Sequence, residues 1–246
     1  MTADQTPNSA MILAAGLGTR MRPISLDIPK VLVPVLGRPV IDYAMERLAQ
    51  AGITNAVVNA HHHADKLIAH LTHLAPAPDC IAPVVNISDE RAGLLDTGGG
   101  FAKALPILGA APFYGINGDV IWLDGVFNTL HRLAARWDSD SMDALLLVTL
   151  CPRAVGYAGQ GDFMMDPNGL LRRRQEREVA PYVYSGIQIL HPRLFARCPA
   201  GPFSLNVLYD RAIRAKRLYG LCHDGLWLHV GTPDGLRAAE ATLAGL

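Results

Sequence analysis

The sequence predicts an α/β protein with a Rossmann-like, mixed and mostly parallel sheet covered by helices on both faces. Three observations predict this class: short apolar runs alternate with amphipathic helical patterns, a glycine-rich loop follows the first run, and polar residues end a later one. The 246 residues are half apolar, which is enough for a sizeable core. In such a sheet the ligand crevice lies at the carboxyl ends of the strands.

The first half of the chain alternates strands and helices. Pro39 suits a first helical turn, Val40, Ala44 and Leu48 fall on one face, and Gly52 suits the end of that helix. The predicted strands are 10–14, 56–59, 84–87 and 113–116, and the predicted helices cover 39–51, the stripe at 67–74 and the region around 101–105. This alternation favours parallel strands joined by crossover helices.

The second half changes rhythm after a predicted helix at 126–136 and a buried strand at 144–150. The turn residues 167–169 separate two short extended runs, which predicts a hairpin. A strand at 182–190 broken by Ser185-Gly186, a helix at 206–216, a strand at 227–230 and a closing helix started by residues 232–234 follow. We therefore predict one domain over residues 10–246 with a hairpin region around 155–190, after a loose tail at residues 1–9.

Composition excludes several classes of protein. The 22 basic and 22 acidic residues balance, so neither a nucleic-acid nor an anionic-membrane partner is indicated. The four cysteines form no Cys-x-x-Cys pair, which argues against a zinc site or a disulfide framework. Neither a signal peptide nor a membrane-length apolar run is present, so a cytoplasmic location is expected. No feature of the sequence indicates the oligomeric state.

The most informative stretch is residues 11–30. Its first apolar run opens into two glycines, Arg20, Arg22 and, after a proline, Lys30. Glycines let a backbone approach a charged group closely, and loop N–H groups attract anions, so this composition predicts a phosphate-binding loop.

Two other glycine-loop motifs do not match. A P-loop requires Gly-Lys-Ser/Thr, but none of the four lysines follows a glycine. The dinucleotide fingerprint requires a third glycine where Met21 stands, and the strand ending at Asn59 offers no acidic residue for a ribose.

Residues 13–23, together with Lys30, resemble the signature of the sugar-1-phosphate nucleotidyltransferases, because glycines, arginine, proline and lysine all fall at that family's spacing. Residues 95–100 and 117–119 extend the resemblance over most of the chain. The triple glycine and the short length look most like members that join UTP to N-acetylmuramate 1-phosphate. The resemblance implies transfer of a nucleotidyl group from a nucleoside triphosphate to a sugar 1-phosphate, with release of pyrophosphate.

Three residues would carry the chemistry by this resemblance. Arg20 resembles the arginine that holds the departing phosphates, and its planar fork suits phosphate. Lys30 resembles the lysine that contacts the phosphates being joined. Asp119, after a buried strand, is placed to hold Mg²⁺, which binds one or two carboxylates together with substrate phosphates. His229 stands where relatives carry a second carboxylate, so its role at the metal stays open.

The other expected contacts surround these three residues. Nucleotide binding is expected at Leu13, Ala14, Ala15, Gly16, Gly18, Thr19, Gly98, Gly99, Gly100 and Asn117, with the triple glycine approaching a flat base. Sugar binding is expected at Gly161, Asp162, Ser185 and Gly186.

Two further patterns resemble metal sites but do not fit one. The Asp-x-Asp spacing at 138–140 precedes its strand, so it points to the wrong edge of the sheet. Residues 61–63 are three adjacent histidines, which cannot all face one metal in an ordinary loop, and a structural role at a helix start is favoured.

Two alternatives to the leading activity remain. One keeps the chemistry but transfers a guanylyl group to mannose 1-phosphate or a heptose phosphate. The other is a regulator that binds nucleotide-sugars without turnover.

Overall fold

A computed structural model describes residues 6–74 and 81–246 of the chain. Its central nine-stranded mixed sheet has a parallel half in which four strands lie side by side in the order β5-β4-β1-β6. These strands are β1 (Ser9–Leu13), β4 (Asn55–Ala60), β5 (Val84–Asp89) and β6 (Phe113–Asn117). They are the four strands that the apolar runs of the first half predict, and the expected mixed, mostly parallel fold is confirmed.

The other half of the sheet is built on the nine-residue strand β12 (Tyr182–Leu190), which runs antiparallel to β6 and to β8 (Ala144–Leu150). Its register shifts between Tyr184 and Gln188, where Ser185-Gly186 stands. The remaining strands of the sheet are β10 (Phe163–Met165) and β11 (Leu171–Arg173), which form the expected hairpin, and β13 (Leu218–Cys222), which runs parallel to β8.

Helices cover both faces because each carries one apolar stripe. Ile41, Leu67 and Leu133 share one core cluster, whereas Phe101 and Leu208 share a second cluster on the opposite side. The helices are α1 (Val40–Gln50), α2 (Ala64–Thr72), α3 (Asp96–Leu108), α4 (Thr129–Arg136), α5 (Asn206–Arg214) and α6 (Pro233–Ala244).

A small sheet that the sequence analysis did not predict extends the fold beside β6. It joins β7 (Val120–Leu123), β14 (Leu226–His229) and β9 (Ala154–Val155), and α6 packs on it through Ala239. The two-residue strands β2 (Pro34–Val35) and β3 (Arg38–Pro39) form a separate ribbon before α1. Because β7 begins directly after Asp119, the pairing of β7 within this small sheet fixes the position of the turn at Asp119.

The start of α4 corrects the expected helix boundary at residue 126. The helix begins at Thr129, because Asp124 accepts a hydrogen bond from the Thr129 N–H (2.9 Å) and Asn128 accepts from the next two N–H groups. The expected tail lies partly outside the described residues, since Met1–Gln5 are not among them and β1 begins at Ser9. Among the described helices, none has both the length and the apolar character that crossing a membrane requires.

Candidate active site

Two neighbouring clefts open at the carboxyl ends of the parallel strands. The larger, of about 490 Å³, is lined by the loop after β1, by Lys30 and by residues before and at the start of α3. The smaller, of about 180 Å³, is lined by Arg20, Tyr157, Asp162, Trp227 and His229, among others. Both clefts are lined by Asn117 and Asp119, so the two spaces meet at the end of β6.

The loop after β1 is held close to the end of β6. The Gly118 N–H donates to the Leu13 carbonyl (2.9 Å), and there is no room for a side chain at Gly118 between this carbonyl and Val31. Further along, Gly18 adopts φ +63 where its carbonyl accepts from the Ser25 hydroxyl (2.7 Å). Leu13, Ala14, Ala15 and Gly16 line the larger cleft, whereas Thr19 and Arg20 are exposed beyond it.

A buried polar pair connects this loop with the opposite wall of the larger cleft. The Asn59 side-chain oxygen accepts from the Ala14 (2.6 Å) and Ala15 (3.2 Å) N–H groups, and its amide donates to Glu90 (2.8 Å). The second Glu90 oxygen accepts from the Leu95 N–H (3.1 Å). Asn59 is 3% and Glu90 is 1% exposed, so these hydrogen bonds are shielded from water and fix the two walls relative to each other.

Lys30 and Asp119 form an ion pair where the clefts meet. The Lys30 Nζ lies 2.5 Å from Asp119 Oδ2, and His229 Nε2 lies 3.7 Å from the same oxygen. Burial alone would raise the pKa of Asp119. The contact with His229 and the charges of Lys30 and His229 lower the pKa by more than burial raises it, so it lies well below its ordinary value. Asp119 is therefore a carboxylate at any ordinary pH.

This arrangement fits a divalent metal only in a limited way. Among the described residues, no group of three or more His, Cys, Asp or Glu side chains is placed to hold a metal ion. Asp119 provides one carboxylate, and its Oδ1 makes no hydrogen bond within the described part of the chain. Mg²⁺ binds in this manner in phosphate-processing sites, where one or two carboxylates are completed by substrate phosphates and water. Mg²⁺ dependence therefore stays a prediction.

The triple glycine has a different position from the one expected. Gly98, Gly99 and Gly100 are buried in the first turn of α3, and the residues of this segment that line the cleft are Leu94, Asp96 and Thr97. A Cβ at Gly98 would overlap the Phe203 ring, and one at Gly99 would lie 2.6 Å from a backbone oxygen. The expected close approach exists, but the partners are other parts of the protein rather than the cleft.

Two of the four expected sugar-binding positions line the smaller cleft. Asp162 and Gly186 line it, and Gly161 is a buried turn residue with φ +75 beside Asp162. Ser185 is a correction: it is completely buried, and its hydroxyl bonds to Thr149 (2.9 Å), so its side chain faces away from the cleft. Its carbonyl accepts from the Trp227 indole (2.7 Å) and thereby positions one cleft wall.

The three adjacent histidines have the structural role expected of them. One ring nitrogen of each histidine contacts a different backbone carbonyl. His61 contacts the Glu90 carbonyl (2.8 Å), His62 the Ser25 carbonyl (3.3 Å) and His63 the Leu26 carbonyl (2.7 Å). The Asp-x-Asp pattern is part of a turn in which Asp138 accepts from the Ser141 hydroxyl (2.6 Å). Cys151, Cys198 and Cys222 are free, and Cys80 lies outside the described residues.

Several residues of the site were not predicted from the sequence. Asn59 and Glu90 stand at the ends of β4 and β5 outside any motif, and their pairing joins residues 31 positions apart. Tyr157, Tyr184 and Trp227 supply aromatic walls to the smaller cleft. Asp96 precedes the triple glycine in the sequence, and in the structure it lines the larger cleft.

A mixed α/β sheet with a nucleotide-sized cleft, joined through a charged residue pair to a second polar cleft, is the architecture of a nucleotide-dependent transferase. The chain belongs to the nucleotidyl transferase family: the family model matches residues 9–159. Within it the chain is a sugar-1-phosphate nucleotidyltransferase.

Two curated relatives and one solved structure match nearly the whole chain. The chain is 43% identical to the N-acetylmuramate alpha-1-phosphate uridylyltransferase of Caulobacter vibrioides, over 98% of each chain. It is 38% identical to the enzyme of that name from Neisseria meningitidis serogroup B, over 96% of this chain and 98% of the relative. UDP-glucose pyrophosphorylase complexed with UDP-glucose matches 98% of this chain and all of that one, with a TM-score of 0.78 at 16% identity, which shows the shared fold.

Proposed function

We propose that this protein transfers a uridylyl group from UTP to N-acetylmuramate 1-phosphate, giving the UDP-sugar and pyrophosphate. Two relatives that carry this activity in their names match nearly the full length of the chain. The structural observation that carries the proposal is the meeting of the two clefts at Asn117 and Asp119, because a transferase must bring two substrates into contact at one point.

In this proposal the larger cleft takes the nucleotide and the smaller cleft takes the sugar phosphate. The loop after β1 offers backbone N–H groups and close approach to the triphosphate. Tyr157 offers an aromatic surface to the sugar, and the Asp162 carboxylate is held in place because it accepts from the Tyr184 N–H (2.9 Å).

The chemical step is an in-line displacement at phosphorus. A phosphate oxygen of the sugar 1-phosphate forms a bond to the α-phosphorus, the bond from that phosphorus to the bridging oxygen breaks, and pyrophosphate leaves with the electron pair. Lys30 lies where the clefts meet and contacts the phosphates being joined, while Arg20 lines the smaller cleft, as Asp119 does, and neutralises negative charge on the phosphates. The rate enhancement then comes mainly from positioning and from charge neutralisation.

Mg²⁺ belongs to the proposal as a partner of the triphosphate, held on the protein by Asp119. When bound, it supplies further positive charge to the phosphate oxygens. His229 lies beside this position, and we assign it a contact with phosphate or water rather than the place of a metal ligand, because Mg²⁺ prefers oxygen.

The test is pyrophosphate release over a panel of triphosphates and sugar phosphates. UTP, GTP, CTP and ATP are each combined with N-acetylmuramate 1-phosphate, mannose 1-phosphate and a heptose phosphate, with Asp119→Asn as the inactive control. Preference for UTP with N-acetylmuramate 1-phosphate is expected. Preference for GTP with mannose or heptose phosphate would replace the proposal with the guanylyltransferase alternative, and tight binding without pyrophosphate would replace it with the regulator.

A further inference from the structure

The segment between Arg20 and Lys30 has little regular structure of its own. Its regular elements are the single-turn 3₁₀ helices Thr19–Met21 and Ile24–Leu26, and helices of this length are not stable in isolation. Most side chains from residue 22 to residue 27 are exposed, whereas Ser25 is only 1% exposed. The positions of Arg20 and Lys30 therefore depend on contacts between this segment and the rest of the protein.

Residues at the beginning of α2 supply these contacts. Three successive backbone carbonyls, those of residues 25, 26 and 27, accept hydrogen bonds from His62 (3.3 Å), His63 (2.7 Å) and Lys66, in that order. A carbonyl oxygen only accepts, so the Nε2 atom of each histidine ring carries the hydrogen here. We call His62, His63 and Lys66 the α2 clamp.

Ser25 connects the α2 clamp with the phosphate-binding loop. Its hydroxyl donates to the Gly18 carbonyl (2.7 Å), which also accepts from the Met21 N–H (2.8 Å) and so closes the turn that carries Arg20. A Cβ added at Gly18 would lie 3.2 Å from the Lys30 Cβ, so the same turn packs against Lys30. The α2 clamp is thereby linked, through one buried serine, to both cationic residues of the proposed reaction.

His63 adopts a left-handed backbone conformation directly before α2. Its φ is +49 and its ψ is 41, a conformation that costs residues other than glycine free energy. Glycine would fit this position without strain, so the beginning of the helix does not explain the histidine. What glycine would lack is the ring, and the ring contacts the Leu26 carbonyl.

Resting on the proposed function, we propose that His62 and His63 are positioning residues of the transferase. Their rings fix residues 25–27 and thereby hold Arg20 and Lys30 beside the phosphates. Neither histidine is among the described residues that line the two clefts, so they act through the loop rather than on the substrate. Their loss should lower kcat, because misplaced cations stabilise the transition state less, and should leave the KM for the sugar phosphate nearly unchanged.

The test compares two double variants at the same two positions. His62→Leu/His63→Gly removes both N–H donors, and its glycine suits the left-handed backbone. His62→Gln/His63→Gln keeps a side-chain N–H donor at each position. His73→Ala, which changes an exposed histidine at the end of α2, is the matched control.

Turnover is measured at a temperature at which the melting curve of each variant shows it to be fully folded. For His62→Leu/His63→Gly, we expect kcat to fall between about fivefold and a hundredfold, the worth of two hydrogen bonds. The glutamine variant should recover most of this loss, and His73→Ala should match the wild-type protein. A loss of kcat that the glutamine variant shares in full would mean that the donated hydrogen bonds are not what matters, and would overturn the inference.

Amide hydrogen exchange without nucleotide gives a readout that does not depend on activity. In His62→Leu/His63→Gly, exchange should become faster at residues 18–27 and stay unchanged in β1 and β4. Unchanged exchange at residues 18–27, or wild-type kcat in this variant, would overturn the inference and leave the proposed function intact. Faster exchange over the whole chain would show a defect of the fold and would also overturn it. If the wild-type protein turns over no triphosphate, the proposed function fails, and exchange at residues 18–27 together with the affinity for UTP still decides whether the histidines position the loop.

Discussion

Lys30 Nζ lies 2.5 Å from Asp119 Oδ2, although the two residues are 89 positions apart in the chain. Both side chains are mostly buried, with 13% and 20% exposed, so each charge depends on the other for compensation. The pair brings the signature loop to the end of β6 and places an ammonium group at the point where the clefts meet. Substrate phosphates entering here meet a cation that is already in position.

Asp119→Asn should lower turnover by about a hundredfold or more, because the amide keeps the shape of the carboxylate but removes its charge from the reacting phosphates. It should also cost about 1–3 kcal/mol of stability, since Lys30 loses its partner. Turnover against Mg²⁺ concentration and a denaturant midpoint measure both effects. A Lys30→Met/Asp119→Asn double variant should recover part of the stability and none of the activity. Normal turnover of Asp119→Asn at the same Mg²⁺ concentration would remove Asp119 from the site.

Arg20→Ala should reduce turnover strongly and leave stability within about 0.5 kcal/mol, because Arg20 is exposed and forms no ion pair with the described residues. Arg20→Lys should recover only part of the activity, since a point charge lacks the planar fork that matches phosphate. Arg214→Ala, an exposed arginine on α5, is the matched control. A fall in melting temperature large enough to explain the lost turnover would contradict the assignment.

Gly98→Ala tests the structural role of the triple glycine. The new methyl group would overlap the Phe203 ring inside the core, so we expect a loss of about 1–3 kcal/mol, typical of overpacking. Gly93→Ala is the control, because a Cβ there meets nothing within 4 Å. Thermal melting without nucleotide reads both variants. Equal melting temperatures for the two variants would mean that the glycine is not needed for packing.

Asp143 provides a pH-dependent contribution to stability. The Asp143 carboxylate accepts hydrogen bonds from Arg193 (2.6 Å) and Arg217 (2.8 Å). Burial raises the pKa of Asp143, but these two hydrogen bonds lower it by more, so the pKa in the folded protein lies below its ordinary value of 3.8. A lowered folded pKa gives stability that is present above the unfolded pKa and is lost as the pH falls through the folded value. Asp143→Asn should therefore melt below wild type at pH 7, with the difference shrinking below about pH 4. An equal difference at pH 2 would instead indicate a packing defect.

The fold was largely predictable because its parallel strands and crossover helices carry local apolar patterns. β14 matches the strand predicted at 227–230, but β7 was not predicted, since it is four residues long and pairs with a strand more than a hundred residues later. Such a short strand gains its stability from a partner that the local pattern does not reveal.

In the candidate site, too, some residues could be predicted from sequence motifs and others are brought together only by the fold. Lys30 and Asp119 stand in motifs, so the sequence predicted both, but their ion pair requires the folded sheet. Asn59 and Glu90 have no motif, and only the side-by-side position of β4 and β5 brings them together. Asp96 lay inside a motif, and its left-handed backbone was invisible to a reading by residue type.

The final prediction concerns His229, whose Nε2 lies 3.7 Å from Asp119 Oδ2 and whose ring stacks on Trp227 with a centroid distance of 6.0 Å. A second carboxylate here would give Mg²⁺ an oxygen ligand that the imidazole does not offer. His229→Asp should therefore tighten Mg²⁺ binding in the absence of nucleotide, as measured by calorimetric titration. His229→Asn, which removes the ring without adding charge, separates the carboxylate from the loss of the imidazole and should not tighten binding. Unchanged Mg²⁺ affinity in His229→Asp, or Zn²⁺ held by the wild-type protein through His229, would show that this residue belongs to a different kind of site.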